Sequence, residues 1–228
     1  MQCVILVAGR GTRMGNLCDR TPKPMLPILG KPKLAYSLEN LPSEITEVIL
    51  IVGYLKEKII TYFGDEYKGK KIRYVIHETI DGTGKVLHST KDLLEGKFLV
   101  IMGDDLYTKE DLSELLRYPL GVLAIERSDA KNFGIIQIDK EGNLDTIIER
   151  PHGFDQGLIN TGAYVLSKEF FSYPLVKISE YEYGLPQTLV GMKEKFSIKI
   201  VRAKDWFAIG DPKALEEAQT RIQDFIEE

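Results

Sequence analysis

The amino-acid sequence predicts an α/β fold: a mixed, mostly parallel sheet flanked by helices on both faces, in three αβα layers. Three observations carry that prediction. Short all-apolar runs of strand length alternate with helix-period segments through the first half. A glycine-rich turn follows the first of those runs. The second half then changes to strands joined by hairpin-type turns.

In chain order, residues 3–8 form an unbroken apolar run, the pattern of a strand buried on both faces. A polar loop follows, then a predicted helix over 34–41, a strand over 48–52 and a helix over 55–63. A strand over 72–76, a helix over 86–94 and a strand over 98–102 complete the first half. Such a β-α-β order makes successive strands parallel, with the helices covering both faces. Strands over 134–138 and 144–148 flank Asp139-Lys140-Glu141-Gly142-Asn143, a hairpin-turn composition. Further strands are expected over 162–166 and 197–201. The stretch 212–226 is helical, with Pro212 at its start and Leu215, Ala218, Ile222 and Phe225 on one face. No internal repeat, low-complexity tract or linker interrupts the chain, so residues 1–228 are read as one domain.

Composition excludes several function classes. The net charge is −4, and Lys and Arg are dispersed, so no concentrated basic surface for nucleic acid is expected. No apolar stretch approaches the roughly 20 residues of a membrane span. Cys3 and Cys18 lack metal-ligand spacing, and Cys3 sits in an apolar run as a small core residue. Neither a basic leader nor a cleavage site precedes the first strand, so the expected location is cytoplasmic.

The most informative segment is the loop Ala8-Gly9-Arg10-Gly11-Thr12-Arg13-Met14 after the first strand. Glycines there let backbone N–H groups approach an anion. The loop also lies beyond a strand's carboxyl end, where open α/β sheets bind ligands. It lacks the Gly-Lys-Ser/Thr of a Walker A loop. A dinucleotide fingerprint fails too: Met14 stands in place of the third Gly, and Lys31 to Lys33 where an acid is needed. The loop adds Arg13, which can clamp phosphate oxygens, and downstream Lys23, a point charge aimed by Pro22 and Pro24.

This loop, continued by Thr21-Pro22-Lys23-Pro24-Met25-Leu26-Pro27-Ile28, resembles the signature of the sugar-1-phosphate nucleotidylyltransferases, or NDP-sugar pyrophosphorylases. The resemblance implies a Rossmann-like nucleotide-diphospho-sugar transferase fold. It also implies Mg²⁺-dependent nucleotidyl transfer from a nucleoside triphosphate to a sugar 1-phosphate, giving an NDP-sugar and pyrophosphate. On that basis Arg13, Lys23 and Asp104 are the expected catalytic residues. Ala8, Gly9, Gly11 and Thr12 would hold the nucleotide, together with His77, Gly82 and Thr83 of a base-reading segment. Many members carry Gln where this chain has His77, and an imidazole cannot copy the paired donor and acceptor of an amide, so the base is left open. Asp104 closes the fourth apolar run as a Mg²⁺ ligand, and Asp105 is either a support for it or the N-cap of the next helix.

Gly134, Glu149, Arg150, Asn160 and Thr161 follow in the order of the family's sugar-phosphate pocket. Near the end, relatives carry a Trp-x-Asp-x-Gly pattern whose Asp is the second metal ligand, and this chain has Ala208 there. Asp211 is taken as the replacement. Its alternatives are Asp205, or Asp104 with phosphate oxygens and water, or a loss of activity. Asp211 also suits the N-cap of the last helix, with Pro212 following. Two other functions stay open: a cytidylyltransferase for phosphocholine or an alditol phosphate, and a non-catalytic nucleotide-sugar-binding subunit regulating a partner enzyme. No nucleic-acid or membrane partner is expected, and self-association is left open. The hexapeptide-repeat β-helix that some relatives carry is not expected.

Overall fold

The computed structural model describes residues 1–149 and 155–226. Its centre is four parallel strands: β1 (Gln2–Val7), β2 (Glu47–Val52), β3 (Lys70–Ile76) and β4 (Lys97–Met102). β1 lies between β2 and β4, and β3 extends the sheet beyond β2. Downstream come β5 (Asp105–Tyr107), β6 (Gly121–Arg127), β7 (Gly134–Ile138) and β8 (Leu144–Glu149). The long β9 (Gly157–Ser167), then β10 (Lys199–Arg202) and β11 (Trp206–Ala208), follow, and the other strands of the described residues are two residues long. β9 turns the sheet antiparallel, pairing with β4 on one side and β6 on the other. β7 and β8 form the expected hairpin at the sheet's end, and β10 joins β6 in parallel.

Alternating side chains of the central strands feed two separate cores, one per face. Cys3, Ile5 and Val7 pack with α1 (Lys33–Glu39), α2 (Lys56–Phe63) and, further along, the Leu112 and Leu115 pair. Val4, Ile49, Ile51, Phe98 and Val100 face α3 (Thr83–His88) on the opposite side. The remaining helices are α4 (Lys109–Leu115), which carries that leucine pair, α5 (Leu185–Val190) and α6 (Pro212–Arg221). A third cluster joins α6 and the turn behind it to the small antiparallel pair β5–β11 through Leu106, Phe207, Ile209, Ala218 and Ile222. Helices on both faces of a mostly parallel sheet make the three-layer αβα arrangement that the sequence predicts.

Several elements differ from the sequence expectation. β5, β6, α4, α5 and β11 are additions. For α4 the signal is local: the Thr108 hydroxyl accepts from the Asp111 N–H, and Glu110 and Asp111 sit in the first turn. That cap belongs to Thr108, so Asp105 is not the N-cap; it sits in β5, opposite Ala208. The helix expected over 86–94 begins earlier and ends at His88. β9 is longer than the expected 162–166 because a bulge lies inside it. Pairing with β6 jumps between Asn160 and Tyr164, and Gly162 has φ +80°. A Cβ on Gly162 would stand 2.6 Å from Met102 Cγ, so only glycine lets the bulge fold over the end of β4.

Phe98 is fully buried, whereas Ile138 is 46% exposed. Phe98→Ala is expected to lower unfolding stability by about 3–5 kcal/mol in urea titration. Ile138→Ser is expected to change it by less than about 0.5 kcal/mol.

Candidate active site

The site forms where β1 and β4 end side by side. The Gly103 N–H donates to the Leu6 carbonyl at 3.1 Å, and a Cβ on Gly103 would stand 2.2 Å from Val7 Cγ1. This close approach seats Asp104 beside the loop that leaves β1. The loop turns at Gly11, whose φ of +67° favours glycine, and continues as 3₁₀ turns over Thr12–Cys18. Met14 and Cys18 are buried with Leu26, pinning the loop to the segment that carries Lys23. A Cβ on Gly11 would lie 2.9 Å from Lys23 Cβ, so this glycine makes room for the lysine beneath it.

The result is a cleft of about 240 Å³ lined by Gly9, Gly11, Thr12, Arg13, Lys23 and Asp104. The expected catalytic trio and three of the expected phosphate-loop residues therefore share one cavity. Lys23 Nζ donates to Asp104 Oδ2. The lysine side chain is 8% exposed and the aspartate 34%, so the pair opens to the cleft on the acid's side. Burial opposes ionisation of Asp104, but Lys23, Lys33 and Arg13 around it hold its carboxyl below the ordinary value. Arg13 reaches across to Gly210, where an added Cβ would be 3.5 Å from its guanidinium. Beneath the cleft lies Lys33, fully buried, whose Nζ donates to the Asp104 carbonyl at 3.3 Å. Burial pulls its pKa down to about 8 against the opposing pull of Asp104.

Asp105 points away from Lys23. Its Oδ2 accepts from Trp206 Nε1 at 3.3 Å and lies 3.4 Å from the Tyr107 hydroxyl, which also donates to the Thr161 carbonyl. Burial first, then the Asp104 charge, pushes its carboxyl well above the ordinary value. Asp211, expected as a metal ligand, is spent as a helix cap: its Oδ1 accepts from the Ala214 N–H at 2.9 Å. It does not line the cleft. Among the described residues no group of three or more His, Cys, Asp or Glu side chains is placed to hold a metal ion.

A second cavity of about 660 Å³ adjoins the first, sharing Leu6 and Gly9 with it. Ala8, Gly82 and Thr83 line it, in line with the sequence expectation, and Tyr54, Asp81 and Glu182 line it as well. Gly82 has φ +87°, and a Cβ there would stand 2.3 Å from the Tyr183 carbonyl oxygen. His77 does not line the cavity; its Nε2 lies 2.7 Å from Asp81 Oδ1, behind that carboxylate. The Thr79 hydroxyl donates to Asp81 Oδ2 at 2.8 Å. Burial opposes ionisation of Asp81, and the His77 and Thr79 hydrogen bonds outweigh it, so its carboxyl sits below the ordinary value. Each Asp81 oxygen keeps a lone pair for a ligand after those bonds. The side chain offered to a ligand at this place is thus Asp81 rather than His77. Its proximity to Gly82 in sequence was the available signal.

The expected sugar-side residues divide. Gly134 pairs with Glu149 across β7 and β8, and a Cβ on Gly134 would be 3.0 Å from Glu149 Oε1. Asn160 is placed at the bulge, with its Oδ1 accepting from the Gly162 N–H and its amide donating to the Tyr164 hydroxyl. Thr161 is buried, and its hydroxyl donates to the Leu123 carbonyl at 2.8 Å, so it holds the sheet rather than facing a ligand. Arg150 lies outside the described residues.

Gly82→Ala is expected to cost about 1–3 kcal/mol, because a left-handed backbone and a backbone contact both oppose the methyl. Gly9 has no atom within 4 Å of an added Cβ, so Gly9→Ala should stay within about 0.5 kcal/mol of the parent. Thermal melting of the two variants side by side checks the difference.

Comparison with known proteins agrees with this geometry. The chain is 35% identical over 229 residues to the bifunctional protein GlmU of Methanocaldococcus jannaschii, covering 99% of this chain and 55% of that protein. It thus spans about half the length of the bifunctional relatives it matches. It is 37% identical to the D-glycero-alpha-D-manno-heptose 1-phosphate guanylyltransferase of Campylobacter jejuni, covering 87% of this chain and 90% of that one. The fold matches the crystal structure of apo UDP-glucose pyrophosphorylase with a TM-score of 0.86, at 20% identity and with 98% of each chain covered. The sequence profile of the nucleotidyl transferase family matches residues 2–224, and the chain belongs to that family.

Proposed function

We propose that this chain transfers a nucleotidyl group from a nucleoside triphosphate to a sugar 1-phosphate, forming an NDP-sugar and releasing pyrophosphate. One observation carries the reading: Arg13, Lys23 and Asp104 converge on a glycine-lined cleft that opens into a cavity large enough for a nucleoside. The guanylyltransferase relative acts on a sugar 1-phosphate by its name.

In this reading a phosphate oxygen of the sugar 1-phosphate attacks the α-phosphorus. The bond from that phosphorus to the bridging β-phosphate oxygen breaks, and pyrophosphate leaves with the electron pair. The nucleophile is already anionic, so no general base is required. The work falls to positioning and charge stabilisation. The backbone around Gly9 and Gly11 cradles the phosphates, while Arg13 and Lys23 offset the charge that grows on the α-phosphate and the leaving group.

The expected Mg²⁺ suits the donor chemistry. Magnesium is held by one or two carboxylates completed by phosphate oxygens and water. Asp104 offers one such carboxylate, 34% exposed and kept ionised by its neighbours. When bound, the ion would neutralise phosphate oxygens as a Lewis acid. Asp104 is the one ligand proposed for it; Asp211 is not retained, because its carboxylate caps α6.

Pyrophosphate release across a matrix of triphosphates and phosphorylated acceptors tests the proposal. Turnover with a sugar 1-phosphate is expected; turnover with phosphocholine or an alditol phosphate alone moves the acceptor class. Tight NDP-sugar binding with no pyrophosphate from any pair indicates a binding subunit instead. Lys23→Ala and Asp104→Ala are expected to fold, the latter with a lowered melting temperature because it leaves Lys23 unpaired, and to lose about a hundredfold or more in turnover. Near-parental rates in either variant would remove these residues from the chemistry.

A further inference from the structure

Lys33 is the least expected side chain near the site. It is the first residue of α1 and is fully buried, among Leu34, Ala35 and Leu38 of the same helix, which are buried too. An ammonium held out of water is costly unless a carboxylate is dedicated to it. Lys33 has no carboxylate of its own. Its hydrogen bond goes to the main-chain oxygen of Asp104 at 3.3 Å, while the Asp104 carboxylate is taken by Lys23. A methionine would fill the same volume without that cost, so stability does not account for the residue.

The surroundings are short of acid. Asp105 is turned to Trp206 and Tyr107. The strand passing beside it places Ala208 opposite Asp105, and the next residue, Ile209, donates its N–H to the same Asp104 carbonyl at 3.2 Å. Three cations, Arg13, Lys23 and Lys33, therefore stand around the Asp104 carboxylate. Charges in a dry interior are poorly screened, so an ammonium below Asp104 is felt in the cleft above it.

We propose that Lys33 is a built-in cation: its ammonium, fixed under Asp104, adds a permanent positive charge beneath the cleft and tempers that carboxylate's grip on a divalent ion. The inference rests on the nucleotidyl-transfer reading. Lys33 is a positioning residue, since it reaches the phosphates only through Asp104 and the field it sets up there.

The role has a signature that a purely structural one lacks. Removing a fixed positive charge beside Asp104 strengthens that carboxylate's hold on a metal while weakening the stabilisation of the leaving group. Metal affinity and turnover then move in opposite directions. A Lys33 that merely props up Asp104 would weaken both together.

The test uses the full chain with Mn²⁺, read by electron paramagnetic resonance in the presence of a non-hydrolysable α,β-methylene nucleoside triphosphate. Lys33→Met is expected to bind Mn²⁺ roughly tenfold more tightly and to release pyrophosphate about a hundredfold more slowly. A folded Lys33→Met with parental turnover, or with metal affinity and turnover falling together, overturns the proposal. Should Lys33→Met not fold, Lys33→Gln is read in the same way. If the parent forms no pyrophosphate with any substrate pair, the nucleotidyl-transfer reading fails and this inference goes with it. An active parent whose folded variant keeps parental metal affinity removes the inference alone.

Discussion

The contact on which the site depends is the ion pair between Lys23 and Asp104. The lysine is buried to 8% exposure, and an ammonium in that position without its acid would be strongly unfavourable. Everything around the pair makes the meeting possible. Gly11 lacks the Cβ that would strike Lys23, and Gly103 lacks the one that would strike Val7. Met14, Cys18 and Leu26 supply the small apolar anchor that keeps the glycine loop from opening into solvent. A flexible run of glycines thus becomes a fixed cradle because its far end is nailed down by burial.

The parallel pairing of β1 with β4 is the second requirement. It brings Gly9 and Asp104, which are far apart in the chain, to neighbouring strand ends. Beyond the carboxyl ends of those strands lies the crevice that open α/β sheets use for ligands. The antiparallel β9 then closes the crevice from the other side, bending at Gly162 over Met102. The phosphate cleft and the larger cavity share a wall because both are built on the end of β1.

The cleft and the larger cavity differ in chemistry. The cleft presents glycine, arginine, lysine and aspartate. The neighbouring cavity instead presents Asp81, backed by His77 and Thr79, with Glu182 across from the loop. Relatives named for different substrates, a UTP–glucose-1-phosphate uridylyltransferase and a heptose 1-phosphate guanylyltransferase, match this chain at 29% and 37% identity.

Much was legible before folding was considered. The order of apolar runs determined the parallel sheet, since strands separated by helical segments have one handed way to pack. The loop from Ala8 to Met14 with Lys23 determined the glycine-lined cleft and its cations, because glycine spacing and bracketing prolines act locally. Asp211 and Pro212 announced the start of α6 for the same reason. Other features waited for tertiary structure. That Asp81 rather than His77 lines the cavity depends on which face of the turn the ring occupies. That Thr161 bonds into the sheet depends on a bulge one residue away. Lys33 reads in sequence as one more surface lysine, and only the docking of α1 under Asp104 takes it out of water. Local patterns determine elements and loops because they act over a few bonds. Burial and side-chain partnership are properties of the packed whole, and no short stretch of this chain contains them.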